Sequence, residues 1–227
     1  NLLAHFFDPL TDQPKKNGPP QIILVPHAGL TYSGQTAAYA YHQLKNSAIN
    51  RVILLGSSHQ ALFSGAAIDN STYWQTSLGR VEIDQDLVNK LTKKPFFIDR
   101  HAHAKEHSLE VQLPFLTTVL SDFKIIPILL GQIDDNAIQK IARTLSPHLT
   151  KNTLLVISTD LSHYPDAATA KIVDQTTITS ILSLDPQQFA ATLADLQSRY
   201  PQIDTFACAA PAVKIALHLA QKHSLSA

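Results

Sequence analysis

The 227-residue chain has little of several features that mark common classes of protein. It contains one cysteine, Cys208, which excludes an internal disulfide framework and suits a reducing compartment. Its formal net charge is +0, so it has no strong field to attract nucleic acid or an anionic membrane surface. No apolar stretch approaches the roughly 18 residues that a membrane-spanning helix needs, and no signal sequence opens the chain. We therefore expect a cytoplasmic protein with no nucleic-acid or membrane partner.

Glycine is also scarce, with 7 in the chain, and the glycine-rich catalytic templates are missing. The sequence contains neither a P-loop nor a Gly-x-Ser-x-Gly nucleophile elbow, which argues against a nucleotide phosphate site and a serine hydrolase. Hydrophobic residues nevertheless make up 44% of the sequence, enough for a sizeable core. We expect residues 1–227 to form a single domain.

Short apolar runs alternate with helical patterns after a polar loop predicted at residues 8–20. Runs rich in Val, Ile and Leu predict buried strands at 22–25, 51–56, 124–130 and 153–157, and residues 65–84 read as a strand-rich insertion. Helices are predicted at 34–44, 85–92, 106–120, 134–149, 166–182, 185–196 and 208–222, and the one at 106–120 is either interrupted or started near Pro114. This alternation favours an α/β fold, a three-layer α/β/α sandwich with a mostly parallel central sheet.

Three of the predicted strands are each followed by a histidine. His27 follows the first strand and His59 the second, while His163 follows the strand at 153–157, with Asp160 just before it. In open α/β sheets, ligands bind at the carboxyl ends of the strands. If the three strands are neighbours, these side chains converge on one crevice.

Two histidines with one anionic ligand form the pattern that non-haem iron oxygenases use. His27 and His59 fit the paired imidazoles, and Cys208, at the start of a predicted helix, fits the third ligand as a thiolate. His163 and Asp160 would then hydrogen-bond to the metal ligands from outside the coordination sphere, or act as an acid and base. The plainer alternatives are hydrogen-bonded loop histidines, an inert buried cysteine, and an aspartate that caps the next helix.

A second group of histidines and glutamates lies between residues 101 and 110. His103 and His107 would share a helix face if the segment is helical, but the glutamate that zinc proteases carry beside the first histidine is missing. A solvated face with one or two substrate contacts is the better interpretation, and Glu106 and His107 are the candidates.

Five segments match the motifs of one known family in both sequence and order. They are PHAGLTYSG at 26–34, LGSSH at 55–59, WQTSLG at 74–79, EHSLEVQLPF at 106–115 and STDLSHY at 158–164. On these motifs the chain resembles the MEMO family, called AmmeMemoRadiSam system protein B in bacteria and archaea. Tyr32, in the first motif, joins the candidate substrate contacts.

The resemblance implies a fold similar to that of the class III extradiol (LigB-type) dioxygenases, whose iron sits between two histidines and a glutamate. It also implies a metal site at His27, His59 and Cys208, with Asp160 and His163 beside it. Iron is the favoured metal and copper the second candidate. The MEMO branch is further associated with phosphotyrosine peptides and with copper-dependent redox activity.

Three functions stay open at this point. The first is a mononuclear metal site, with Fe(II) preferred, that carries out dioxygenase-like oxidoreductase chemistry on a small molecule. The second is a non-catalytic module that holds a peptide or small anion, which is disfavoured because Arg51, Arg80 and Arg100 have no obvious route to the crevice. The third is a zinc hydrolase, which needs only three ligands and an activated water.

Overall fold

The computed structural model describes residues 2–10 and 18–227. Its strands in these ranges are β1 (Ile22–Val25), β2 (Arg51–Ser57), β3 (Ala66–Ile68), β4 (Tyr73–Thr76), β5 (Gly79–Ile83), β6 (Phe96–Ile98), β7 (Lys124–Leu130) and β8 (Thr153–Ser158). The α-helices are α1 (Leu2–Phe7), α2 (Leu30–His42), α3 (Gln85–Lys90), α4 (Arg100–His103), α5 (Leu113–Val119), α6 (Asp135–Leu145), α7 (Ala167–Leu182), α8 (Pro186–Arg199) and α9 (Ala210–Lys222). Short 3-10 helices occur at Asp8–Leu10, Glu110–Gln112 and Ser146–His148.

The strands form one sheet in the order β1-β8-β2-β7-β3-β6, and the β4–β5 hairpin joins it where β5 pairs with β7. The four strands from β1 to β7 in this order run parallel, whereas β3 is antiparallel to β7. The mostly parallel sheet is therefore confirmed. Val25 of β1 and Gly56 of β2 both lie opposite Ser158 of β8, so these three strands end at nearly the same level.

Helices cover the sheet in two groups. The first group contains α1, α2 and α5, which pack on one another, and α2 also packs on β1. The second group includes α6, α8 and α9, with α9 lying against β1, β8 and β2. All six residues of β8 are buried, as expected of a central strand that is covered on both faces. The predicted three-layer α/β/α sandwich is confirmed.

Aspartates fix where several helices begin. The side chains of Asp84, Asp134, Asp166 and Asp185 accept hydrogen bonds from N–H groups in the first turns of α3, α6, α7 and α8. No helix among the described residues is both long and apolar enough to cross a bilayer.

The helix predicted at 106–120 starts near Pro114, which is one of the two alternatives for this segment, and its earlier residues are not part of it. Residues 106–109 are not helical, and α5 begins only at Leu113, with Pro114 in its first turn, where a missing N–H costs nothing. Because α4 ends at His103, that residue and His107 do not share a helix face. Residues 8–10 of the predicted loop form a 3-10 helix, and residues 11–17 lie outside the described ones.

Candidate metal centre

The ends of three neighbouring parallel strands bring distant side chains together. His27 lies two residues after β1 and His59 two residues after β2, and β8 runs between these strands. Cys208 reaches the same edge from the turn that precedes α9. Nε2 of His27 is 3.4 Å from Sγ of Cys208, and the ligand atoms of His27, His59 and Cys208 all lie within 4.8 Å of one another. The three residues that the sequence singled out thus form one cluster.

The spacing of this cluster suits a metal ion. Nitrogen and sulfur ligands bound tetrahedrally at 2.0–2.3 Å are about 3.5 Å apart, so small side-chain adjustments would close all three donors on one ion. His27 is 3% exposed, Cys208 is half-buried and His59 is open to solvent. The cluster could therefore hold a metal ion that is reached from the His59 side.

Glu106 supports His59 from behind. Its carboxylate accepts hydrogen bonds from the backbone N–H of His59 at 2.6 Å, from that of Ser108 at 3.1 Å, and from Nδ1 of the His59 imidazole at 3.2 Å. Burial would raise the pKa of Glu106, but the hydrogen bonds from His59 and Ser108 outweigh it and lower the pKa to about 2. An ionised carboxylate thus turns the imidazole so that Nδ1 faces away from the cluster.

Asp160 fastens His27 to Cys208. Its Oδ1 accepts the backbone N–H groups of His27 at 2.8 Å and Ala28 at 3.2 Å. Its own N–H donates to Cys208 Sγ at 3.2 Å, and the N–H of Cys208 donates to the Asp160 carbonyl at 3.1 Å. The alternative that Asp160 caps the next helix is wrong, because Asp166 caps α7.

The cluster separates charge before any ion binds. Burial opposes ionisation of the Cys208 thiol, yet the adjacent imidazoles of His27 and His59 outweigh it and lower its pKa to about 6. The hydrogen bonds of His59 with Cys208 and Glu106 raise the pKa of that imidazole to about 10. These shifts favour a thiolate at Cys208 beside an imidazolium at His59 near neutral pH.

The remaining predicted residues lie at different distances from the cluster. The ring of His107 is centred 5.8 Å from that of His27 and 5.9 Å from that of His59, so it borders both. Tyr32 is 88% exposed in the first turn of α2. In the described part of the chain, the contacts of His163 run to the Thr205 carbonyl and the Tyr164 ring rather than to the cluster.

Two residues that the sequence did not predict as part of the site support the His27 imidazole through hydrogen bonds on the side away from the cluster. Oγ of Ser158 is 3.0 Å from Nδ1 of His27, and Nε2 of Gln112 is 2.8 Å from the same Oγ. Neither residue is among the candidate site residues that the sequence predicts. The available signal was their position inside two of the matched motifs, with Ser158 as the polar end of an apolar strand.

A family model described as Memo-like protein matches residues 1–225. The chain belongs to the Memo-like family. A MEMO1 family protein of Thermoplasma volcanium is 34% identical over 203 residues, which cover 88% of this chain and 72% of that protein. Another, from Aquifex aeolicus, is 38% identical over 179 residues, which cover 78% of this chain and 66% of that protein.

Among solved structures, an uncharacterized protein of Escherichia coli K12 has a TM-score of 0.48 with 13% identity, covering 81% of this chain and 80% of that one. This likeness is too loose to bear on function. The MEMO resemblance deduced from the motifs is confirmed by the family match, and the kinship to LigB-type dioxygenases stays a prediction.

Proposed function

We propose that the chain binds one metal ion through His27, His59 and Cys208 and uses it in oxidoreductase, dioxygenase-like chemistry on a small molecule. Fe(II) is the first candidate and copper the second. The main support is the convergence of the three ligand atoms within 4.8 Å at the carboxyl edge of the sheet.

The chemistry of the donors supports a transition metal. Two imidazoles and a thiolate form a soft set, which prefers iron, copper or zinc to magnesium or calcium. The buried carboxylate behind His59 and the hydroxyl behind His27 are the outer partners that such ligands usually have. A redox-active ion bound here would supply electron transfer and polarisation of a bound substrate.

The protein's own groups then have separate roles. Glu106 positions His59, a role that replaces the substrate contact expected from sequence, because its carboxylate already accepts three N–H groups. His107, with a side chain 59% exposed beside both ligand rings, is the group best placed to bind a substrate or move a proton. We keep His163 as an acid or base further out, Asp160 as the group that holds His27 and Cys208, and Tyr32 as a contact at the rim.

A module that binds an anion or phosphopeptide has less support. Arg51 is the first residue of β2, at the opposite edge of the sheet, and pairs with Asp84 at 2.7 Å. The guanidinium of Arg80 lies over the Tyr73 ring at 4.4 Å. Both cations are engaged away from the cluster, and a phosphate usually needs such a side chain.

Metal analysis of protein purified without oxygen tests the proposal. Wild-type protein should take up one ion per chain, and His27→Ala and Cys208→Ser should lose more affinity than the roughly 10–100-fold that loss of an outer partner costs. His101→Ala, at an exposed histidine of α4, is the matched control and should bind as wild type does. Equal metal content in wild type and both ligand variants would refute the proposal.

The same preparation separates oxidation from hydrolysis. With Fe(II) or copper bound, the protein should consume oxygen when a catechol or a related electron-rich substrate is added. A zinc hydrolase would instead select Zn(II) and turn over at the same rate with and without oxygen.

A further inference from the structure

The groups behind His27 form a continuous hydrogen-bond network that begins in the core. The Tyr41 hydroxyl is 2.9 Å from Oε1 of Gln112, whose Nε2 is 3.0 Å from the Pro26 carbonyl and 2.8 Å from Ser158 Oγ. Ser158 Oγ is also 2.6 Å from the Ser108 carbonyl and 3.0 Å from Nδ1 of His27.

Two carbonyl groups decide the direction of every proton in this network. A carbonyl only accepts, so the amide nitrogen of Gln112 must face Pro26, and its oxygen must accept from Tyr41. The second N–H of that amide then donates to Ser158 Oγ. The single hydroxyl proton of Ser158 goes to the Ser108 carbonyl, which leaves Ser158 Oγ able only to accept from His27.

We infer that Ser158, held in place by Gln112, fixes a proton on Nδ1 of His27 and so reserves Nε2 of that imidazole for the metal. Nε2 is the nitrogen that faces Cys208, at 3.4 Å from its sulfur. With the proton on Nε2 instead, His27 could not serve as a ligand through that atom. Ser158 and Gln112 are therefore positioning residues, and the inference rests on the proposed metal site.

Burial makes this network rigid. Ser158 and Gln112 are fully buried, and both N–H groups and the oxygen of the Gln112 amide are used. The Tyr41 ring is stacked on Phe115 with centroids 5.2 Å apart, which anchors the far end of the network between α2 and α5. A buried amide with all its partners keeps one orientation, because any other leaves polar groups unpaired.

The test compares two serines near the end of the same strand. Ser158→Ala removes the acceptor for His27, whereas Ser162→Ala, the matched control, removes a buried hydroxyl that has no hydrogen-bond partner among the described residues. We expect the Kd for Zn(II), measured by chelator competition, to rise about 10–100-fold in Ser158→Ala and to stay at the wild-type value in Ser162→Ala.

Long-range 1H–15N spectra of the imidazoles provide a second readout that does not depend on activity. The zinc-loaded wild type should show His27 with its proton on Nδ1 and the metal on Nε2, and in Ser158→Ala the Nδ1 proton should exchange faster with solvent. A wild-type proton on Nε2, or equal Kd values for both serine variants, would overturn the inference.

The two proposals fail in different ways. If the wild type binds none of zinc, iron and copper, the proposed metal site is wrong, while the metal-free spectrum still shows whether Nδ1 of His27 carries the proton. If Ser158→Ala does not fold, the wild-type spectrum still decides the inference by itself.

Discussion

Metal binding to this site should release about one proton at pH 8. Cys208, with a pKa of about 6, is then already a thiolate, whereas His59, with a pKa of about 10, still carries the proton that coordination must displace. The apparent affinity should therefore rise about tenfold for each pH unit between 6 and 10, or about 1.4 kcal/mol per unit. Below pH 6 the thiol keeps its own proton, and the number released should increase.

Isothermal titration calorimetry with Zn(II) measures this number directly. Titrations at pH 8 in buffers of different ionisation enthalpy give an observed heat whose slope equals the protons released. In Cys208→Ser, the His59 imidazole loses the partner that raises its pKa most, so its pKa, followed by NMR, should fall. Proton release near zero in the wild type at pH 8 would refute the charge separation assigned to the site.

Three further substitutions test other parts of the structure. Glu106→Gln should weaken Zn(II) binding about 10–100-fold by removing the carboxylate behind His59, and unchanged binding would show that this carboxylate is dispensable. Asp84→Ala should cost about 1–2 kcal/mol in urea unfolding at pH 7, through loss of the α3 cap. Burial opposes ionisation of Asp84, but the helix N–H and the paired Arg51 guanidinium lower the pKa of this carboxyl. The ionised side chain therefore stabilises the fold at neutral pH, and this stabilisation should fade as the pH falls through the lowered pKa. An equal loss of unfolding free energy in Asp84→Ala at acid and neutral pH would contradict this. Gly131→Ala would place a Cβ in steric clash with the Phe63 carbonyl oxygen and should cost about 1–3 kcal/mol, seen as a lower Tm; an unchanged Tm would show that the loop around Gly131 shifts to relieve the clash.

The convergence of His27 and His59 could be predicted because it follows from a general rule. Buried parallel strands have recognisable composition, and their carboxyl ends share one edge of the sheet. The rule places a residue at that edge without specifying its neighbours. The position of β8 between β1 and β2 depends on tertiary structure and cannot be predicted from a local sequence pattern.

The errors lie where long-range contacts override local preference. The segment before α5 has helical periodicity, but Glu106 bonds to the backbone and ring of His59, 47 residues away, and the helix starts only at Leu113. Strand β6 has three residues and exists because it pairs with β3. The role of Gln112 depends on partners far apart in the chain and becomes visible only in the folded molecule.

Two different sets of hydrogen bonds hold the ligands. Asp160 is hydrogen-bonded to both the His27 backbone and the Cys208 sulfur, which fixes the positions of these two donors relative to each other. His59 lies on a different loop, after β2, and is exposed to solvent. Among the described residues, Glu106 is the carboxylate that hydrogen-bonds to its imidazole. A metal ion should therefore enter and leave when the His59 side chain rotates away from the other two ligands. The rate of metal exchange should be set by the rate of that rotation.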